Sequence, residues 1–108
     1  MNDLALLTDL QLRFRDARDW KRFHTLENLI VSLNLEAAEL LELTQWKTDG
    51  ELEAHKADAH FRERLGEECA DVLLYLVLVA EAGGIDLMEA ARAKIGKNAL
   101  KYPAPQPG

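Results

Sequence analysis

Leucines recur along this chain at three- and four-residue steps, and that spacing sets the expected structure. Leu4, Leu7, Leu10 and Phe14 mark an amphipathic helix over about 4–18. Trp20 to Thr25 (WKRFHT) reads as a connector whose last residue can N-cap the next helix. Leu26, Leu29, Ile30, Leu33, Ala37, Leu40 and Leu43 line the broad apolar face of a second helix, 26–46. Lys47-Thr48-Asp49-Gly50 should stop it, and the polar stretch 51–59 reads as a loop able to carry a turn of helix. A third helix, from 58 or 59 to 82, carries Phe61, Leu65, Val72, Tyr75, Leu76 and Val79 on its apolar face and ends at Gly83-Gly84. Asp86 caps a fourth helix over 87–100, which Lys101-Tyr102-Pro103 ends. No stretch alternates like a strand or repeats at a solenoid period. The expected class is all-α: a four-helix bundle in one domain, 1–103, with a disordered Pro-rich tail, 104–108.

Acidic residues interrupt this pattern. In LNLEAAELLELTQW (Leu33–Trp46), Glu36 falls within about 40° of Leu29, Leu40 and Leu43 on the helical wheel, with Glu39 at the edge of the same stripe. On the third helix Glu68 lies between Val72 and Tyr75, with Asp71 about 60° to one side. Glu42 and Glu67 rotate to the polar sides, where solvation explains them. Burying an unpaired carboxylate costs several kcal/mol, and the usual remedy is a cation or a proton. Packing the second helix on the third would gather Glu36, Glu39, Glu68 and Asp71. An all-oxygen set with no His or Cys favours a hard divalent cation, Mg²⁺ or Mn²⁺, over zinc.

Composition narrows the field further. A net charge of −6 and a pI of about 5.0 argue against a nucleic-acid partner or an acidic membrane surface. The longest apolar run, 72–80, is too short to span a bilayer. One cysteine, Cys69, excludes an intrachain disulfide, and the opening Met1-Asn2-Asp3 does not resemble a signal peptide; both fit the cytoplasm.

Two rivals compete for the acidic pairs. A di-iron bundle would need Glu-x-x-His on two helices, and no Glu is followed by His at that spacing. An acidic module that binds basic partners would explain charged helices, but not charges placed inside leucine stripes. Mg²⁺ held by a few carboxylates usually keeps positions open for water and substrate phosphates, which points to phosphate chemistry. No Gly-rich phosphate loop is present. Lys94, Asn98 and Lys101 share one face of the last helix and are candidates for phosphate contacts, with a solvated lysine row as the alternative. Trp20, Phe23, His24, Trp46 and Tyr75 sit where a planar base could stack, although tryptophans are as often core anchors and a connector histidine is often just exposed.

ExxE followed after 28 residues (40–67) by ExxD resembles the MazG-like, all-α nucleoside triphosphate pyrophosphohydrolases. RDWKRFHTLENL, LEAAELLELTQW, EECADVLLYL and KxxxNxxKYP, in order over about residues 10–103, look more particularly like the dCTP pyrophosphatase branch. The resemblance implies that Glu36, Glu39, Glu68 and Asp71 bind Mg²⁺. It implies that water attacks the α-phosphorus of a nucleoside triphosphate, with Glu36 orienting or deprotonating it, to give a monophosphate and pyrophosphate. Trp20, Phe23, His24, Trp46 and Tyr75 would form the base pocket, and Lys94, Asn98 and Lys101 would reach the phosphates. An obligate homodimer, or a homotetramer built as a dimer of dimers, with sites shared between subunits, is also implied. dUTP and phosphoribosyl-ATP are the competing substrates. Two positions depart from the pattern: Gln11 stands where a histidine is expected nine residues before Trp20, and Lys101 where an arginine is common.

Overall fold

Every regular element is helical in the computed structural model, which describes residues 2–105. In chain order they are α1 (Asp3–Ala17), a 3₁₀ turn (Lys21–Phe23), α2 (Leu26–Glu42), α3 (Asp49–His55), α4 (Ala59–Ala82) and α5 (Leu87–Lys101). The all-α class is as expected, but there are five α-helices where four were expected. The disorder expected of the tail falls partly on residues 106–108, outside the described chain.

The extra helix has a plain cause. Thr48 caps α3 by accepting from the Glu51 backbone N–H at 3.1 Å, and the Glu51 carboxylate returns to the Thr48 hydroxyl at 3.3 Å. This T-x-x-E signal outweighs the Gly50 that read as a breaker. α2 meanwhile stops at Glu42, four residues short of the expected end. The Thr44 hydroxyl bonds back to the Leu41 carbonyl, and Trp46 takes φ 63°. Thr25 and Asp86 cap α2 and α5 as their positions predicted.

α4 is the axis of the molecule: α2 packs along one side of it and α1 along another, and no other helix pair meets as extensively. Leu29 of α2, Leu43 just past its end, and Val77, Leu78 and Ala80 of α4 form the buried core. The second half of α4 is apolar all round because it is enclosed from two directions, so its core residues were not those of the single expected stripe. On α1 the inner positions are Leu4, Leu7, Gln11 and Leu12, whereas Leu6, Leu10 and Phe14 are largely exposed.

α1 ends in a Schellman motif: the Trp20 N–H reaches the Arg15 carbonyl, the Asp19 N–H reaches that of Asp16, and Asp19 takes φ 55°. That turn folds Trp20 back onto Phe14, edge to face, with ring centroids 5.7 Å apart.

The protomer is extended. Its radius of gyration is 17.4 Å, against about 13 Å for a compact chain of this length. Its accessible surface is 8412 Å², against about 6,000 Å² for a compact 12.2 kDa protein. No described helix is long and apolar enough to cross a membrane.

Candidate functional site

Glu36 and Glu39 lie one helical turn apart on α2, and Glu68 and Asp71 face them from α4. One oxygen from each of the four carboxylates lies within 4.8 Å of the others, a spacing that can hold a metal ion. Glu36 and Glu68 are half-buried, whereas Glu42 and Glu67 point to solvent. The Oε2 atoms of Glu36 and Glu68 are shielded from water and have no hydrogen-bond partner among the described residues. Such orphaned acceptors are uncommon in folded proteins.

The electrostatics follow from the crowding. Burial first, then the neighbouring Glu39 carboxyl, and then the charges of Asp71 and Glu68 push the Glu36 carboxyl up to about 7. Glu68 is also pushed up, by burial and then by Glu39 and Asp71, with Arg64 opposing. A hard cation would relieve the repulsion and satisfy both orphaned oxygens, so these residues fit the ion their chemistry implies.

Beside the cluster lies a cavity of about 400 Å³ lined by Gln11, Phe14, Trp20, Glu36, Asp71, Leu74 and Tyr75. Glu36 and Asp71 therefore belong to both the carboxylate cluster and the cavity wall. A second cavity, of about 430 Å³, lies where α1 begins and α4 turns into α5, and shares no residue with the first.

The other candidates from the sequence are distributed unevenly. Trp20 and Tyr75 line the cavity. His24 is half-buried in the connector, its Nδ1 unpartnered and its pKa lowered by burial and by Arg15, but it is not in the cavity wall. Phe23 faces outward with the Arg22 guanidinium 4.6 Å from its ring centre. Trp46 is 98% exposed. Lys94, Asn98 and Lys101 are exposed on α5, and the protomer does not bring them to the carboxylates. Sequence reasoning did not place Phe14 and Leu74 in the site, and it named Gln11 only as a departure from the family pattern. Phe14 and Gln11 had a signal in hindsight, since Phe14 lies one turn beyond Gln11 on α1, a helix that the turn at Asp19 doubles back toward Trp20.

An all-helical fold built around a four-carboxylate cluster defines the class, and comparison with known proteins names it. The MazG-like family model matches residues 31–107. Human dCTP pyrophosphatase 1 is 43% identical over 95 residues, covering 88% of this chain and 56% of the human protein. The rat protein of the same name is 40% identical over 94 residues, covering 87% and 55%. The chain thus spans about half the length of these curated relatives. The crystal structure of a pyrophosphatase from Archaeoglobus fulgidus matches with a TM-score of 0.85 at 39% identity, covering 96% of this chain and 95% of that one. The chain belongs to the MazG-like family.

Proposed function

We propose that the protein is a Mg²⁺-dependent nucleoside triphosphate pyrophosphohydrolase that converts dCTP, or a modified dCTP, and water to the monophosphate and pyrophosphate. The observation that carries this reading is that Glu36 and Asp71 sit at once in the four-carboxylate cluster and in the wall of an aromatic cavity. A base held in that cavity keeps its phosphates beside the metal ligands. The names of the human and rat relatives support dCTP as the substrate.

Glu36, Glu39, Glu68 and Asp71 are the ligands for the ion, Mg²⁺ or in its place Mn²⁺. A divalent ion held there would neutralise triphosphate charge and favour the departure of pyrophosphate. Glu36 orients or deprotonates the attacking water, and Trp20 and Tyr75 wall the base.

The working unit is a homodimer or a dimer of dimers. α2 exposes Leu26, Ile30, Val31, Leu35 and Leu41 among its polar residues, apolar surface that a partner would cover. The protomer exposes about 2,400 Å² more surface than a compact chain, while a standard interface takes about 800 Å² from each partner. In such an assembly Lys94, Asn98 and Lys101 of one copy serve the phosphates held by another, and Phe23, His24 and Trp46 close the base site. The setting is cytoplasmic, where the enzyme clears unwanted nucleotides.

A panel of deoxynucleoside and ribonucleoside triphosphates and phosphoribosyl-ATP, assayed with Mg²⁺ for monophosphate and pyrophosphate, tests the reading. dCTP or a modified dCTP should be the best substrate. Release of orthophosphate as the first product, or no turnover of any nucleotide, contradicts it.

A further inference from the structure

Most arginines of this chain are engaged. Arg13, Arg15, Arg22 and Arg92 each pair with a nearby carboxylate, and Arg18 lies over the Phe14 ring. Arg62 and Arg64, near the start of α4, have no ion pair or side-chain hydrogen bond among the described residues. Their directions differ. Arg64, Glu68 and Asp71 stand at i, i+4 and i+7, so Arg64 falls about 40° from Glu68 and about 20° from Asp71 around the helix. Arg62 falls about 120° from Glu68 and opposite Asp71. The helical rise sets Arg64 about 6 Å along α4 from Glu68, and its charge bears on the Glu68 carboxyl although the two form no ion pair.

The order of residues along this face matches the order of groups in a nucleotide. Tyr75 and Leu74 wall the aromatic cavity, Asp71 and Glu68 belong to the carboxylate cluster, and Arg64 stands one turn beyond Glu68. A nucleoside triphosphate runs in the same order, from base to α-phosphate to the two terminal phosphates. Resting on the nucleotide reading above, we propose that Arg64 binds the β- and γ-phosphates and holds them as they depart as pyrophosphate. When water attacks the α-phosphorus, its oxygen stays on the monophosphate and it gives up a proton. The bond from phosphorus to the bridging oxygen breaks, and its electron pair leaves on pyrophosphate. Charge therefore builds at the end of the site where Arg64 stands. A guanidinium presents a planar fork of N–H donors that engages two phosphate oxygens at once. Arg64 is exposed and spends none of those donors on the described residues, so they are free for a ligand.

The test compares the full-length wild-type chain with Arg64→Ala, Arg64→Lys and Arg62→Ala, the last removing the same charge from another side of the same helix. Isothermal titration calorimetry with Mg²⁺ measures the binding of inorganic pyrophosphate and of dCMP, and dCTP turnover gives KM and kcat. Arg64→Ala should weaken pyrophosphate binding by about tenfold to a hundredfold, the scale of a charged hydrogen-bonded contact, and should leave dCMP binding within about twofold. KM for dCTP should rise in step. Arg64→Lys keeps the charge but not the fork, and should fall between Arg64→Ala and wild type. Arg62→Ala should match wild type, and all variants should keep wild-type helical content in circular dichroism. Unchanged pyrophosphate affinity in Arg64→Ala overturns the proposal. So does an equal loss for pyrophosphate and dCMP, an equal loss in Arg62→Ala, or a wild type that hydrolyses dCTP yet binds no pyrophosphate. The two levels separate cleanly. An active wild type with an indifferent Arg64→Ala defeats only the role of Arg64, whereas a wild type inert on every nucleotide defeats the enzymatic reading and this one with it.

Discussion

Glu36 on α2 and Glu68 on α4, on facing helices of one cluster, each bury one carboxylate oxygen, Oε2, that no hydrogen-bond donor among the described residues reaches. Two acceptors left this way, with Glu39 and Asp71 beside them, make the metal-free protein electrostatically uneasy near neutral pH. The Glu36 carboxyl rises from 4.5 to about 7 on folding. Between those values the folded chain holds a proton that the unfolded chain releases, so the contribution of Glu36 to stability is fully present below 4.5 and is lost as pH rises toward 7. In EDTA, Tm should therefore decline across that window. Mg²⁺ at neutral pH should raise it again, because an ion that binds only the folded state stabilises it by mass action. Thermal melts at several pH values, with and without Mg²⁺, check both.

Glu36→Gln separates stability from activity. The substitution removes one of four crowded charges, so Tm in EDTA at pH 7 should rise or hold. Pyrophosphate release with Mg²⁺ should fall by at least about a hundredfold, the scale of a lost general base. Asp71→Asn should behave alike, since Asp71 shares both the cluster and the cavity. Circular dichroism, melts and product assays on the two variants suffice.

Trp20→Ala tests the cavity wall. The indole stands edge-on to Phe14 and lines the cavity, so its loss removes a stacking surface as well as the 5.7 Å ring contact. KM for the nucleotide should rise by about tenfold to a hundredfold, the range for one base–aromatic stack. Trp46→Ala tests whether an exposed ring completes the site in the assembly; a smaller rise in KM is expected, read from the same saturation curves.

The outer face of α2 is where the proposed assembly should form. Leu35 is 62% exposed in the protomer and has no structural task there. Leu35→Glu should convert the oligomer to a monomer in multi-angle light scattering, at unchanged helical content. Activity should drop with assembly if the exposed α5 lysines of one copy serve the site of another, because α5 packs extensively on neither α2 nor α4 of its own chain.

Periodicity revealed the helices and the acidic pairs because both are local properties: Glu36 and Glu68 betrayed themselves by standing inside leucine stripes. It failed where a local signal was overruled or shared. The Thr48 N-cap was hidden behind a Gly50 that read as a stop. On α1 the leucines form two stripes, and spacing alone did not say that the side bearing Gln11 faces α4 while Leu10 is exposed. Val77 and Ala80 were missed as core because α4 is enclosed from two sides and has no single apolar face there. The cavity combines α1, α2, α4 and the connector, a convergence set by tertiary packing rather than by spacing along any one helix.

The central claim is that Glu36 directs water onto the α-phosphorus of a nucleoside triphosphate held between the cavity and the four carboxylates. Hydrolysis of dCTP in ¹⁸O-labelled water, with the products separated and weighed by mass spectrometry, addresses it most directly. The label should appear in dCMP, with unlabelled pyrophosphate as the other product. Label in pyrophosphate, or labelled orthophosphate as the first product, would place the attack on another phosphorus and contradict the account.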